Sequence, residues 1–477
     1  MSLSVVVLAA GEGTRFRSSV PKPLHLMAGR ALLWHVLAAA AGLRADSTVV
    51  VVGKGADDVR SAVGGFSLGP VSFAVQQELK GTGDAMAAAL PLLPADGEVL
   101  VLYGDTPLIT QATLEVLLET HRALKADVTL LTCEAEDPTG YGRILRGPDG
   151  AVTGVVEHRD ATPEQRAIRD VNAGFYVFSR PALDGLAQLR VDNDQGEYYL
   201  PDLVPVVLAR GGVVAACRGS EVEARGVNDR AQLADAGAVL RRRLLDALMT
   251  SGVTVVDPAT TYVDVDVKVG QDTTLEPFTF LEAGTRVGAR CRIGPNTRLT
   301  GCTVEDEAVV TQAVATDAHV GPGALVGPFA YLRPGADLAA GSKVGTYVEV
   351  KNSRVGPGSK VPHLTYVGDA DIGSGVNVGA GTVFVNYDGV AKHRITVGDG
   401  AFIGSDTMLV APLEVGPGAQ TAAGSTITKD VPPDALAIER GEQRTVEGWA
   451  ARRRRRKLEA QGRAADSTNG NERGRDG

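Results

Sequence analysis

VDVDVKVGQDTTLEPFTFLEAGTRVGARCRIGPNTRL, residues 263–299, decides the fold of this 477-residue chain. Val263, Val269, Leu275, Leu281, Val287, Ile293 and Leu299 fall at a strict six-residue interval. After an irregular turn the beat returns at Val320, Val326, Leu332, Leu338, Val344 and Val350. Five-residue steps carry it to Val355, Val361 and Val367, then to Ile372 and Val378. A last run is Val397, Ile403, Leu409 and Val415. An ordinary strand repeats every two residues and a helix about every 3.6. A beat of six, with small or polar residues between inward aliphatics, gives one flat strand and one corner per repeat. Three sides close a coil, and coils stack into a parallel β-helix.

The whole chain exceeds one ordinary core, so two or three domains are expected. Only 5% of it is aromatic, while glycine reaches 58 residues, as hexapeptide corners require. Net charge is 48 − 57 = −9, which argues against a general nucleic-acid binder. Cys133, Cys217, Cys291 and Cys302 show no CxxC spacing and read as reduced, structural thiols, which argues against a zinc site. The apolar run Leu3 to Ala10 is too short for a signal peptide and lacks a basic start. No window approaches the length of a membrane span. The expected location is therefore cytoplasmic.

Ahead of the hexads the pattern is α/β. LSVVVLAA, residues 3–10, reads as a buried parallel strand that stops at glycine. Helices are expected over Ala31–Ala41, near Ala56–Val63, over Gly83–Leu92 and over Leu114–Leu124. Strands are expected at Thr48–Val52, Val71–Val75, Glu98–Tyr103 and Asp127–Cys133. This alternation predicts a doubly wound, Rossmann-like nucleotide-binding domain with its crevice at the carboxyl ends of the strands. GEYYLPDL, residues 196–203, starts another helix. A long helix should join the two halves within Gly226–Val253, capped by Asn228 or Asp229 and ended by Gly252. The domains expected are 1–228, a linker helix 229–252, the β-helix 253–437 and a tail 438–477. Arg452–Lys457 reads as a solvated helix face in preference to a nucleic-acid or lipid contact. Gly462–Gly477 reads as disordered.

Gly11-Glu12-Gly13-Thr14-Arg15 after a buried strand is a phosphate-cradle signal. Glycines let backbone N–H groups approach an oligophosphate, and Arg15 can pair with its oxygens. The loop is neither a full Rossmann fingerprint, since Phe16 stands where a third glycine would, nor a Walker A loop. Lys22 follows in a Pro-Lys-Pro frame. Gln76, Gly81 and Thr82 lie between a strand and a helix. Tyr103-Gly104-Asp105 ends a strand, where a lone carboxylate could hold Mg²⁺ on phosphates.

The hexads allow a second argument. Eighteen residues make one coil, so Arg333 and Lys351 should stack. Two stacked cations repel unless an anion joins them, and a substrate phosphate is one candidate; two outward, solvated charges are the alternative. His363 follows in VPHLTYVGDADIG, and imidazole is suited to taking a proton near neutral pH.

LAAGEGTRF, PKPLH, Lys-Gly-Thr-Gly and Tyr-Gly-Asp-Thr-Pro-Leu resemble a sugar-1-phosphate nucleotidylyltransferase. GYGRI, GVVEHRDAT, VNAG, GEYYLPDL and GVNDR narrow the resemblance to the bifunctional bacterial N-acetylglucosamine-1-phosphate uridylyltransferase/glucosamine-1-phosphate N-acetyltransferases. HLTYVGD, NVGAG, NYDG and FIGSD match the same family's acetyltransferase motifs. The resemblance spans roughly residues 3–450. It implies a left-handed β-helix, a homotrimer, Mg²⁺ as cofactor, and UTP and acetyl-CoA as co-substrates. The other small-molecule partners implied are glucosamine-1-phosphate and N-acetylglucosamine-1-phosphate, with no nucleic acid and no membrane span. The product would be a peptidoglycan and lipopolysaccharide precursor.

Residue by residue, the resemblance places Leu8, Ala9, Ala10, Gly11, Gly13, Tyr103 and Gly104 against UTP, with Gln76, Gly81 and Thr82 on the uracil side. Arg15 and Lys22 would hold the phosphates, and Asp105 and Asn228 would bind Mg²⁺. Gly140, Glu157, Asn172 and Asn228 would receive the N-acetylglucosamine moiety. Arg333, Lys351, Tyr366 and Asn377 would bind the amino-sugar phosphate. His363 would be the general base, with Glu349 supporting it. Ala380, Asn386, Tyr387, Ser405, Ala423 and Arg440 would contact acetyl-CoA.

The chain departs from the family's pattern at four places. Pro362 stands where Asn is usual before the histidine, which fixes the backbone and removes an N–H. Val385 replaces a frequent Cys. Phe16 replaces the commoner Met. Glu12 replaces the commoner Lys of the nucleotide loop, and its negative charge should weaken UTP slightly. The competing reading is a single-activity sugar-1-phosphate nucleotidylyltransferase whose β-helix only assembles subunits. The set His363, Asn386-Tyr387 and Arg333/Lys351 disfavours it.

Overall fold

The structure, a computed structural model, describes residues 2–470 apart from 192 and 194, with side chains described as far as 463. The chain packs as two compact units, Met1–Asn352 and Ser353–Gly477.

The first unit begins with a mixed sheet. Its strands run in the order Val214–Arg218, Val128–Glu134, Asp170–Ser179, Glu98–Tyr103, Leu3–Leu8, Ser47–Val52 and Ser72–Val75. All are parallel except Asp170–Ser179, which is antiparallel to both neighbours. The hairpin Arg143–Arg146 and Val152–Val156 hangs from that strand. Alternation along Leu3–Leu8 feeds two cores. Val5 and Val7 pack with Leu33, Val36 and Leu37 of helix Leu32–Ala41, while Val6 and Leu8 pack with Ala85, Met86 and Ala89 of helix Thr82–Ala89. Each fully buried aliphatic contributes about 1.5–3 kcal/mol against exposure. Both faces are therefore covered, as nearly unbroken Val and Leu runs demand. GEYYLPDL gives a 3-10 turn, Leu200–Asp202, that leads into helix Leu203–Ala209.

Helix Arg230–Thr250 leaves the sheet domain. Asp229 is its cap, accepting from Gln232 N at 2.8 Å. Gly252 closes the end with φ +96°. The helix is fastened by a third core of Phe16, Met27, Leu32, Leu108, Val227 and Ala236. Phe16 points into that core, which is why the glycine loop ends there with a large apolar residue.

The hexads then wind as predicted. Val263 pairs with Leu281, Leu281 with Leu299, Leu275 with Ile293 and Val269 with Val287, each eighteen residues on. The irregular stretch is a tighter coil: Leu299 pairs with Ala315, and Val304 with Val320. Ala315 takes an inward place that an aliphatic beat does not reveal. Leu332 pairs with Val350, restoring the eighteen-residue step.

Within the second unit the strands likewise stack in three parallel columns. Val355 pairs with Ile372, Ile372 with Val397 and Val378 with Ile403. Phe384, fully buried, pairs with Leu409 and takes the place the beat skips. The longer step accommodates a loop in which Tyr387 bridges Lys392. Helix Trp449–Gly470 carries the exposed run Arg452–Lys457. The helix runs on through Gly462–Gly470, where the sequence suggested disorder; Leu458, Glu459, Ala460 and Gln461, just ahead of that stretch, are good helix formers. Residues 471–477 lie outside the described residues.

Candidate functional site

Three loops at the carboxyl ends of Leu3–Leu8, Ser72–Val75 and Glu98–Tyr103 enclose a cleft of about 430 Å³. Leu8, Ala10, Gly11, Gly13, Gln76, Gly81, Thr82, Tyr103 and Asp105 line it, as do Glu12 and Glu197. Parallel strands that stop together make such a crevice, and the doubly wound pattern leads there. Gly13 has φ +63°, and a Cβ on it would lie 2.5 Å from Lys22 Cβ. Only glycine lets the loop close on that lysine.

Lys22 Nζ donates to Asp105 and, at 2.8 Å, to Asn228 Oδ1. Val227 N donates to Asp105 O at 2.7 Å, which ties the start of the linker helix to the strand end. Asn228 is thus the residue that meets Lys22 and, through it, Asp105 of the cleft, while its neighbour Asp229 caps the helix. A carboxylate and an amide oxygen meeting at one ammonium form the hard-oxygen pair that a divalent cation on phosphates uses. Gln76 is 5% exposed and donates to Gly81 O at 3.0 Å and Asp84 Oδ2 at 2.8 Å. Thr82 Oγ1 accepts from Leu200 N at 2.9 Å. Arg15 is exposed and Gly140, at φ +85°, lines neither this cleft nor the one beside it.

The neighbouring cavity, about 390 Å³, is lined by Glu157, Asp160, Tyr199 and Asp202 among others. Burial, with Asp202 and Asp160 nearby, pushes the Glu157 carboxyl up to about 7. Burial, with Asp160, pushes Asp202 up to about 6. Burial, then the Glu157 charge, raises Tyr103 above the usual phenol range. Asn172 donates to Tyr176 Oη at 2.6 Å, and its Oδ1 accepts from Gly174 N at 3.1 Å. Sequence reasoning named Glu157 and Asn172 but not Asp202, Asp160 or Glu197. Asp202 lay inside the quoted GEYYLPDL, with nothing in the string to say that it faces Glu157.

In the first unit's coils, Arg333 N donates to Val350 O at 2.8 Å, so Arg333 and Lys351 are in stacked register. One of the two cations meets an acid of the chain: Arg333 Nη1 lies 2.8 Å from Glu349 Oε1. In the second unit, His363 is exposed at the end of strand Lys360–His363, with Pro362 inside that strand. Asn386 Nδ2 donates to Asp369 and approaches Tyr366 Oη at 3.5 Å. Asn377 lies in strand Asn377–Val378. Ala380, Ser405 and Ala423 follow one another up successive coils: Asp406 N donates to Ala380 O at 2.7 Å and Gly424 N to Ser405 O at 2.9 Å. Arg440 Nη1 closes that column on Ala423 O at 2.9 Å. Tyr387 is exposed, its hydroxyl on Gly389 O at 2.7 Å. All four cysteines are buried and free, and burial pushes the Cys133 thiol up to about 11. Among the described residues no helix is long and apolar enough to cross a membrane. Nor, among them, do three or more His, Cys, Asp or Glu gather as a metal site.

Residues 5–201 match the family of MobA-like NTP transferase domains. A UDP-glucose pyrophosphorylase complexed with UDP-glucose superposes with TM-score 0.43 and 16% identity over 51% of this chain and 100% of that one, a likeness too distant to add to the assignment. The curated relatives are much nearer. Bifunctional protein GlmU of Thermobifida fusca is 53% identical over 459 residues, 94% of each chain. That of Mycolicibacterium gilvum is 52% identical over 458 residues, 94% of this chain and 92% of the relative. That of Streptomyces coelicolor is 50% identical over 457 residues, 94% of each. With a glycine-loop cleft in its first half and stacked hexapeptide coils in its second, this chain belongs to the bifunctional GlmU family and carries both uridylyltransferase and acetyltransferase activity.

Proposed function

We propose that the two activities act in sequence on one sugar and that the residues named above carry them. Acetyl transfer comes first: the amine of glucosamine-1-phosphate attacks the acetyl-CoA thioester, and coenzyme A leaves. A protonated amine has no lone pair, so a base must take its proton; His363 does so. Arg333, Lys351, Tyr366 and Asn377 hold the amino-sugar phosphate. Asn386, Tyr387, Ala380, Ser405, Ala423 and Arg440 hold the acetyl donor, with Ser405 toward the oxyanion. Glu349, ion-paired with Arg333, supports this set.

Uridylyl transfer follows. A phosphate oxygen of N-acetylglucosamine-1-phosphate attacks the α-phosphorus of UTP, and pyrophosphate leaves. Phosphoryl transfer needs positioning and charge neutralisation more than covalent help. Gly11 and Gly13 offer backbone N–H groups, Arg15 and Lys22 offer cations, and Gln76, Gly81 and Thr82 frame the base. Gly140, Glu157 and Asn172 receive the sugar. Asp105 and Asn228 would hold Mg²⁺, which supplies charge neutralisation on the phosphates. The observation that carries this reading is Lys22 meeting Asp105 and Asn228, the last of them 206 positions away, at the glycine-loop cleft.

The domains run 1–228, 229–252, 253–437 and 438–477, and the enzyme works in the cytoplasm as a homotrimer. Phe278, Phe329, Tyr331 and Tyr347 are 43–60% exposed, and Phe329 stacks on Tyr347 at 5.3 Å. An apolar strip of that kind is suited to burial against another copy.

A coupled assay tests the reading. UDP-N-acetylglucosamine should form from glucosamine-1-phosphate only with acetyl-CoA, UTP and Mg²⁺ together, and from N-acetylglucosamine-1-phosphate with UTP and Mg²⁺ alone. A nucleotide sugar formed from glucosamine-1-phosphate with no acetyl-CoA consumed would favour the single-activity alternative.

A further inference from the structure

The glycine loop carries an acid where phosphate chemistry asks for a cation. Glu12 lines the 430 Å³ cleft with Gln76, Thr82 and Asp105. It also lines a second cleft of about 480 Å³ on the loop's other flank, with Arg17, Ser18, Ser19, Lys54 and Asp58. A carboxylate between two phosphate-cradling glycines repels an oligophosphate. Lys54 answers that charge, its Nζ lying 3.8 Å from Glu12 Oε1.

The backbone is built to bring the two together. Strand Ser47–Val52 lies beside Leu3–Leu8, pairing Val51 with Leu8, and Ala9 N donates to Val51 O at 2.9 Å. Gly53 then backs onto Ala10: a Cβ there would lie 2.6 Å from Ala10 O and 3.3 Å from Ala10 Cβ. Glycine at 53 therefore lets the Lys54 loop close on the Glu12 loop. The Lys54 side chain itself is 82% exposed, so it is tethered at its root and free at its tip.

Resting on the reading of Gly11–Lys22 as the UTP-phosphate loop, we propose that Lys54 is a phosphate-positioning residue of uridylyl transfer. It offsets Glu12 in the empty site and passes its ammonium to the terminal phosphates of an arriving triphosphate, or to pyrophosphate in the reverse direction. It binds the leaving portion of UTP and acts on the reacting α-phosphorus only through that placement.

The test is steady-state uridylyl transfer in both directions with the full-length protein. Lys54→Ala should raise KM for UTP and for pyrophosphate about three- to tenfold, the scale of one exposed charge on a multivalent anion. Its kcat should stay within about twofold, and KM for N-acetylglucosamine-1-phosphate should not move. Lys54→Arg should keep the wild-type KM. Adding Glu12→Gln to Lys54→Ala should bring KM for UTP back toward wild type, and salt raised from about 0.05 to 0.5 M should shrink the defect. An unchanged KM in Lys54→Ala overturns the proposal. So does a rise that neither Glu12→Gln relieves nor salt screens. Failure of the loop reading itself would look different, because Lys22→Ala would then retain uridylyl transfer.

Discussion

Replacing Glu157 by glutamine should stabilise the protein above neutral pH and do little in acid. Burial comes first among the causes that raise this carboxyl from 4.5 to about 7, with Asp202 and Asp160 adding to it. The folded state therefore binds the proton more tightly than the unfolded chain. Between those pH values it holds more protons, so stability falls as pH rises and the full cost is present above about 7. That gap, at about 1.4 kcal/mol per pH unit, is worth about 3 kcal/mol. It is an upper limit, because Glu157 opens on a cavity that water can enter. Glutamine keeps the size and hydrogen-bonding of the neutral acid and cannot ionise. Relative to wild type, Glu157→Gln should then gain up to about 3 kcal/mol at pH 8 and under about 1 kcal/mol at pH 5. At about 2–4 °C per kcal/mol for a domain of this size, Tm should separate by several degrees at pH 8 and converge toward pH 5. Thermal melts of both proteins at pH 5, 6.5 and 8 measure it. A difference independent of pH, or larger at pH 5, would refute the reasoning.

Two further outcomes follow from the coils. His319 bonds Asp337 Oδ1 at 2.6 Å and Glu305 Oε1 at 2.9 Å; burial lowers its pKa, but these two acids outweigh that and raise it. Its contribution is present below the ordinary 6.5 and lost as pH rises through the raised value, so the Tm gap between wild type and His319→Gln should be wider at pH 6 than at pH 9. Light scattering should give three times the 49.5 kDa chain mass, and a single-chain mass with acetyl transfer intact would rule out the assembly.

What the sequence reveals follows from how locally each feature is determined. A hexad is visible because each inward aliphatic marks its own coil, and Leu275 to Ile293 needs no distant information. Ala315 and Phe384 escape the beat because any side chain of fitting volume serves an inward place. The glycine loop is legible because its glycines follow a buried strand directly, and at Gly13 a positive φ and the close approach of Lys22 require one. Whether Asn228 or Asp229 caps the linker is not legible, since both are good caps. The fold decides it by setting Lys22 within 2.8 Å of Asn228. The antiparallel strand Asp170–Ser179 reads like its parallel neighbours because all are buried on both faces. Asp202 gains its character from meeting Glu157 and Asp160 in one cavity, a matter of tertiary placement alone.

The central claim is that two separable chemistries reside in two sets of residues on one chain. Mixing two purified variants, Asp105→Ala and His363→Ala, tests it most directly. Loss of a general base costs about 10²–10⁴-fold, so His363→Ala alone should make little product from glucosamine-1-phosphate, acetyl-CoA, UTP and Mg²⁺. Asp105→Ala alone should stop at N-acetylglucosamine-1-phosphate. Together they should form UDP-N-acetylglucosamine, because the intermediate released by one is the substrate of the other. A mixture no more active than either variant, or either variant alone working at the wild-type rate, would contradict the account.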